Sequence, residues 1–362
     1  MIRVGMMTFL HNDNYGSILQ AWALQQTLCG MGFQAEHIDY APSGREKLRN
    51  LLMSGNSPRL IIEGIRKRSA TGHMNGGFAE FRAEQLNCSA PCRDQAALRR
   101  QAKAYDLLLA GSDQIWSPVW LNPVYFLNFS KGTKIAYAPS LGVKEAPSGR
   151  KQRRMAALVK DFRAVSVREA EGAAILRQIS GMDAPVLPDP VILVPQDRWR
   201  QLAQGETPNK PYLLCYFIGD AEEYWRRTAE IAADKGLDVR VIPRTDTARQ
   251  SGFALETDVS PQRWLSLIDG AAHVLTDSFH GASFSAILNR PCTILRRYRE
   301  DDPESKNSRV DQLLRNLSVS GLEDPDWEQV NDRLSGLAAQ GREWLLDAVS
   351  QAGKQVRPEG ER

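Results

Sequence analysis

The stretch "IRVGMMTFLHNDNYGSILQAWALQQTLCGMGFQAEHIDY", residues 2–40, decides how the chain is to be read. Its opening "IRVGMMTF" is mostly apolar and reads as a buried strand. "SILQAWALQQTL" then places Ile18, Ala21, Trp22, Gln25 and Leu28 along one face at helical spacing. Gly30 and Gly32 stop the helix, and "AEHIDY" restarts extended structure. Strand, helix and returning strand make a parallel βαβ unit, because parallel neighbours need a crossover of this kind.

The same alternation recurs along the chain. Apolar strands ending in small or polar loops follow in "YDLLLAGSDQIW", "KIAYAPSLG", "AVSVREAEG" and "APVLPDPVIL", with the helix "REAEGAAILRQIS" after the third. The polar, proline-bearing "PQDRWRQLAQGETPNKP" reads as a connector. A second block of the pattern begins beyond it: strands "YLLCYFIG", "DVRVIP", "HVLTD" and "CTILRR", helices "EEYWRRTAEIAADKG", "SPQRWLSLIDGA" and "ASFSAILN". The expected fold is therefore α/β, with two Rossmann-like doubly wound domains facing a cleft. The first covers 1–195 with a helical insertion around 43–103, where "RLIIEGIRKRS" and "FAEFRAEQL" flank the glycine-rich "TGHMNGG"; the second covers 196–325. C-terminal helices and a tail occupy 326–362, with Trp327, Leu334, Leu337, Trp344, Leu345 and Val349 as apolar members. Packing on the first domain is their expected role, with dimer contact or peripheral membrane association as the alternatives.

Composition narrows the class. Of 362 residues 42% are hydrophobic and 25% charged, and a net charge of only +3 argues against a nucleic-acid partner, which wants a concentrated basic patch. No apolar run approaches the roughly 20 residues that cross a bilayer. "MIRVGMMTFL" lacks the flanks of a signal peptide, so a cytoplasmic protein is expected. The five cysteines are scattered, which suits a reducing compartment. Only "CSAPC", Cys88 to Cys92, brings two together, and with no second Cys or His pair nearby no metal site is expected.

In such sheets ligands bind beyond the carboxyl ends of the strands, so the loops there hold the candidate residues. In "LHNDNYGS", Asn14, Tyr15, Gly16 and Ser17 lead into a helix whose free N–H groups suit a phosphate or carboxylate, although Asn14 or Ser17 would also serve as an ordinary cap. "AGSDQIWSP" offers Ser112 and Asp113, the latter to orient a hydroxyl or act as a base. A plain turn is the alternative there, and Trp116 reads as core rather than a sugar platform. "VSVREAEG" offers Arg168, either an anion anchor or one end of a surface network with Glu169 or Glu171. In "TDSFHGASFSAILNRP", Asp277 and Ser278 are cap candidates, and His280 sits in a first helical turn whose dipole disfavours the charged ring, leaving neutral imidazole for acid/base work that Asp277 or Asp113 would support by orienting the ring or holding hydroxyls. "ESKNSRVDQLL" brings Asn307, Ser308 and Arg309 to another helix start, where Arg309 could serve a doubly charged ligand.

Taken in order, "NYGSILQAWALQ", "YDLLLAGSDQIW", "YFLNF", "KIAYAPSLG", "VSVRE", "LPDPVILV", "DSFHGASFSAILNRP" and "NSRVDQLL" resemble the polysaccharide pyruvyl transferase family over about Met1 to Leu317. The resemblance implies a fold similar to glycosyltransferase type B. It also implies transfer of pyruvate from phosphoenolpyruvate to two hydroxyls of a sugar, forming a ketal and releasing phosphate. The family's functional histidine carries over to His280 and its basic anchors to Arg168 and Arg309. Phosphoenolpyruvate would be a donor substrate rather than a cofactor, and no cofactor is implied. The acceptor would be a glycan, lipid- or nucleotide-linked. A nucleotide-sugar glycosyltransferase and a non-catalytic glycan-binding or assembly protein are the rival readings, because fold alone does not fix function.

Overall fold

A computed structural model of the chain describes residues 1–53, 77–297 and 307–354. It contains two five-stranded sheets. The first holds β1 (Arg3–Met7), β2 (Gln34–His37), β3 (Leu107–Ala110), β4 (Lys134–Ala136) and β5 (Ala164–Val165) in the order β2-β1-β3-β4-β5. The second holds β6 (Tyr212–Tyr216), β7 (Asp238–Ile242), β8 (Ala254–Leu255), β9 (His273–Thr276) and β10 (Cys292–Ile294) in the order β10-β9-β6-β7-β8. Every strand pairing within the two sheets is parallel. Parallel sheets are covered on both faces, which is why "LLLA", "YLLCY" and "HVLT" are buried throughout rather than alternating with water.

The chain divides into two compact units, one of Met1–Ser69, Arg82–Leu193 and Leu337–Arg362, the other of Ala70–Phe81 and Val194–Gly336. In the first, pleating sorts side chains onto two faces. Val4, Met6, Leu107, Leu109 and Ile135 belong to one apolar cluster, Met7, Leu108, Ala110 and Ala136 to the other. The C-terminal segment forms a single helix, Trp327–Lys354, where the sequence suggested more than one. Its Leu345, Ala348, Val349 and Ala352 complete the cluster around Val4 and Leu109. Each fully buried side chain of this size contributes about 1.5–3 kcal/mol through the water it leaves, with alanine below that range.

Three expectations shift. The "PQDRWRQLAQGETPNKP" connector contains the helix Gln196–Leu202, whose Trp199 is fully buried edge-on to Phe284 at 4.7 Å. A tryptophan with an apolar wall to fill outweighs the polar composition around it. "CTILRR" stops as a strand at Ile294, leaving Arg296 and Arg297 in the following loop. Within the 43–103 segment the helices are Gly44–Met53, Phe78–Gln85 and Gln95–Ala102, while "RLIIEGIRKRS" and all but the last residue of "TGHMNGG" lie outside the described residues. Cys88 and Cys92 make backbone bridges to His37 and Tyr40. Among the described residues no three His, Cys, Asp or Glu gather to hold a metal, and no helix is long and apolar enough to cross a membrane.

Each sheet has a point where the chain reverses direction across it. From β1 it winds outward to β2, then to β3 on the other side; from β6 it winds to β7 and β8, then to β9 on the other side. Loops beyond the carboxyl ends diverge at such points and leave a crevice for a ligand.

Candidate functional site

At the reversal point of the first sheet, the loop after β1 meets the loop after β3. Asn14 caps the helix Tyr15–Gly30, its Oδ1 accepting from the Ser17 N–H at 3.1 Å. The Ser17 hydroxyl donates to Asp113 Oδ2 and accepts from Asn12 Nδ2 at 3.1 Å. Asp113 Oδ1 accepts from the Gln114 N–H at 2.8 Å, capping the short turn Gln114–Trp116. Its backbone stands at φ 69° and ψ −177°, a region entered at low cost essentially only by glycine. Strain of about 1–3 kcal/mol is thus held in place by the surroundings, including the Ser140 N–H on the Asp113 carbonyl at 2.8 Å. Strain of this kind concentrates at functional sites, and it fixes the Asp113 carboxylate before any ligand arrives.

Behind Asp113 lies a buried polar network. Ser112 Oγ donates to the Ala138 carbonyl at 2.8 Å and to Asp189 Oδ2 at 3.2 Å. The Arg168 guanidinium donates to Asp189 and stands 3.5 Å from Glu169, which accepts from the Ser140 hydroxyl. Burial works against the Arg168 charge, but Asp189, Glu169 and Asp113 together outweigh it and raise its pKa above the usual value. Arg168 is only 3% exposed and committed to the unit's own carboxylates. The structure keeps the Arg168–Glu169 pairing of the network reading but buries it and adds Asp189, in place of an open anion anchor or a surface network.

Neighbouring expectations change for the same reason. Tyr15 is fully buried in the first helical turn, with Gly16 buried beside it, so the Tyr15 ring belongs to the packed interior. Ser112 is likewise fully buried, and its hydroxyl holds the network. Trp116 stacks on Phe126 at 4.8 Å, and its indole N–H donates to the Tyr125 carbonyl at 3.1 Å, which makes it core.

The second sheet's reversal point is built around Asp277 and Ser278, just after β9. Ser278 is the cap of the helix Phe279–Ile287, its hydroxyl accepting from the Gly281 N–H at 3.3 Å. Asp277 looks the other way. Its carboxylate accepts from the Ile218 and Gly219 N–H groups after β6, each at 2.7 Å, and from Tyr224 Oη at 3.3 Å and Arg297 Nε at 3.0 Å. Arg297 also donates to the Asp277 carbonyl at 3.1 Å. One carboxylate thereby ties together the segments after β6, β9 and β10, which makes Asp277 a clasp rather than a helix cap. Gly219 is required here, because a Cβ at that position would stand 2.7 Å from Asp277 Oδ2.

His280 is the second residue of the capped helix, buried, with its ring edge-on to Phe279 at 5.0 Å. Gly281 lets this helix start lie directly on the end of β9, since a Cβ there would come within 2.5 Å of Thr276 Oγ1. Cap and close approach together fix where the imidazole sits. Beside it, Asp277, Phe279, Arg296, Arg297, Asn307 and Arg309 line a small recess. Arg296 pairs with Asp311, and the Arg309 guanidinium lies 6.0 Å from the centre of the Phe279 ring. The helix Ser308–Leu317 begins without a side-chain cap from Asn307, so Asn307 is not the cap that its position suggested. The recess thus gathers three guanidinium groups, of which Arg297 is held by Asp277 and Arg296 by Asp311, beside the start of a helix.

A family model for polysaccharide pyruvyl transferases matches residues 14–297, from the Asn14 cap to the arginine that clasps Asp277. The chain belongs to the polysaccharide pyruvyl transferase family. Membership makes it a transferase with a polysaccharide or glycan acceptor. No curated protein matches the chain. Among solved structures, a UDP-GlcNAc 2-epimerase from Methanocaldococcus jannaschii is similar at 10% identity and TM-score 0.53, covering 93% of this chain and 99% of that one. A putative UDP-N-acetylglucosamine 2-epimerase from Listeria monocytogenes is similar at 10% identity and TM-score 0.51, covering 95% and 90%. An S. aureus MnaA–UDP complex is similar at 11% identity and TM-score 0.50, covering 95% and 91%. At such identities the likeness establishes the fold, that of glycosyltransferase type B-like proteins with two parallel-sheet α/β domains, and nothing finer.

For this member of the family, sequence reasoning overlooked Asp189, Ser140, Arg296 and Arg297 and left Ser17 as no more than a possible cap. Asp189 had a signal, since an acid between two prolines in the apolar "LPDPVILV" is out of place unless it has a buried partner. The arginine pair had another, because charges closing an apolar strand mark its exit into a loop.

Proposed function

We propose that this enzyme moves the pyruvyl skeleton of phosphoenolpyruvate onto two hydroxyls of a sugar, closing a cyclic ketal and releasing inorganic phosphate. The observation that carries the reading is the recess in the second unit, where Arg296, Arg297 and Arg309 gather beside the capped helix that holds His280. A donor bearing both a carboxylate and a phosphate asks for such a concentration of forked cations, and family membership supplies the reaction class. His280 is the acid/base of the donor side, giving a proton to the methylene carbon as the ketal carbon becomes electrophilic. Arg309 and the start of its helix, with Asn307 and Ser308, neutralise the donor's anionic groups. Within the first unit, Asp113 and the start of the Asn14 helix are suited to hold polar groups of a sugar. Arg168 and Asp277 are positioning residues.

The reading includes no cofactor and no metal. It places the acceptor on a polysaccharide or its lipid- or nucleotide-linked precursor, and the reaction in the cytoplasm. The test is direct. The protein is incubated with phosphoenolpyruvate and a panel of glycans, and phosphate release is measured together with the mass gain of a pyruvate ketal. His280→Ala is expected to lose about 10²–10⁴-fold in turnover; full turnover in that variant overturns its assignment. Since an S. aureus structure of the same fold carries UDP, a thermal-shift comparison of phosphoenolpyruvate with nucleotide sugars tests the donor. Stabilisation by a nucleotide sugar alone would replace this reading with glycosyl transfer.

A further inference from the structure

Within the first unit, the helix Gly149–Val159 that joins β4 to β5 carries four cations in its first two turns and no acid along its length. Met155 and Val159 hold its inner face against the core around Trp116 and Phe162. At about 100° per residue, Arg150, Arg153 and Arg154 then fall on the opposite face around Ala157, with Lys160 continuing the row past the helix end. Arg150, Arg153, Ala157 and Lys160 are exposed. Among the described residues no ion pair includes Arg150, Arg153 or Lys160, and Asp161, next in the chain, is held by the buried Lys134 at 3.3 Å.

Such a helix breaks the local rules for a solvated face. Arg150 repels Arg154 one turn on, the cations crowd the positive end of the helix dipole, and Ser148 supplies no side-chain cap. The helix Glu222–Lys235 of the second unit shows the ordinary solution: Glu222 and Glu223 open it, and Arg226 and Arg227 pair with Glu223 and Glu230, each at 3.1 Å. A cost left unbalanced inside the chain marks a surface that meets its counter-charge outside it. A second observation gives the kind of partner. Trp120, in the loop after β3, is 49% exposed, and it is the exposed aromatic among the described residues. The loop after β4, which leads into the basic helix, lies against the loop after β3: the Ser140 N–H donates to the Asp113 carbonyl at 2.8 Å, and a Cβ on Gly142 would stand 2.9 Å from Gln114 Nε2. Tryptophan favours the membrane–water interface, and basic residues favour anionic headgroups. A nucleic-acid strand would ask instead for several aromatics on which to stack its bases.

We propose that the face of Gly149–Val159 bearing Arg150 and Arg153, with Lys160, docks the first unit on an anionic lipid surface, and that Trp120 enters the interface beside it. The inference goes beyond the pyruvyl-transfer reading and stands without it. Contact of this kind is peripheral, held by charge and one aromatic ring, and no helix among the described residues is long and apolar enough to cross a bilayer. It also moves the membrane contact away from the C-terminal helix, whose Leu345 and Val349 are spent on the core.

The full-length protein is sedimented with vesicles of phosphatidylcholine alone and of an equal mixture with phosphatidylglycerol. It is expected to pellet with the mixture only and to be released as salt is raised. The triple variant Arg150→Gln, Arg153→Gln, Lys160→Gln should bind the mixture about 10²-fold more weakly, about fivefold per cation. Its urea midpoint should be no lower than that of the wild type, because like charges have been removed. On the mixed vesicles the wild-type tryptophan fluorescence should move to the blue, and Trp120→Phe should lose that movement. Wild-type vesicle binding by the triple variant, equal pelleting with phosphatidylcholine alone, or retention of polyuridylate by a protein that ignores the mixed vesicles each overturns the proposal. A wild-type protein that pellets as expected but transfers no pyruvyl group defeats the donor reading and leaves the docking surface standing.

Discussion

The two sheets use one architectural device with opposite chemistry. At the reversal point of the first, three carboxylates, Asp113, Glu169 and Asp189, surround the single guanidinium of Arg168. At that of the second, Asp277 holds Arg297 and Asp311 pairs with Arg296, while Arg309 lines the same recess against Phe279. Parallel sheets place loops at equivalent positions, but which charges those loops carry is free to differ. The acidic edge suits the hydroxyls of a sugar, and the basic one suits an anion.

The comparison is broken most severely at Arg168. Arg168→Ala removes the only guanidinium of a buried acidic cluster and is expected to cost about 3–5 kcal/mol of stability, read by urea unfolding. An effect under 1 kcal/mol would mean that the three acids do not depend on it.

Acidification sharpens the comparison, because each unit buries one strand histidine. Burial lowers His37 in β2 from 6.5 to about 4, with a backbone bond to Ala21 opposing weakly. Burial, with the charge of Lys235, lowers His273 in β9 to about 4 as well. Between pH 6.5 and 4 the unfolded chain binds the extra proton and the folded one does not. Stability is therefore full above pH 6.5 and falls as the pH drops toward 4, by up to about 1.4 kcal/mol per pH unit for each ring. His37→Gln should flatten part of that slope in unfolding measured across the range, and an unchanged slope would contradict the account.

Smaller effects probe the second unit's helix start. Gly281→Ala pushes a methyl onto Thr276 and should cost about 1–3 kcal/mol, with a larger fractional loss of turnover than of stability because His280 is the adjacent residue. Ser278→Ala removes the cap alone and should cost about 1 kcal/mol in melting experiments. A Ser278 variant more damaging than the Gly281 variant would reverse the importance assigned to cap and contact.

Much of this was legible in the sequence. The βαβ alternation, the Asn14 and Ser278 caps and the core place of Trp116 all depend on local signals: periodicity, cap chemistry and apolar context. What escaped depends on distant partners. Arg168 reads as an anchor until Asp189, 21 residues away, is seen to hold it. Asp277 reads as a cap or a support for His280 until Ile218 and Gly219, 59 and 58 residues earlier, fill its oxygens. A side chain's type can be read locally, but whether its charge is already spent cannot.

The long C-terminal helix has a consequence for synthesis. The chain leaves the first unit for its long excursion at Leu193 and rejoins it at Leu337, so all of the second unit but Ala70–Phe81 is inserted there. On the ribosome, the second unit's strands and helices emerge complete while the apolar face around Val4 and Leu109 still waits for Leu345, Val349 and Ala352. The N-terminal half, though translated first, is thus the last to close, and a nascent chain stalled before the final helix would present an uncovered face to chaperones.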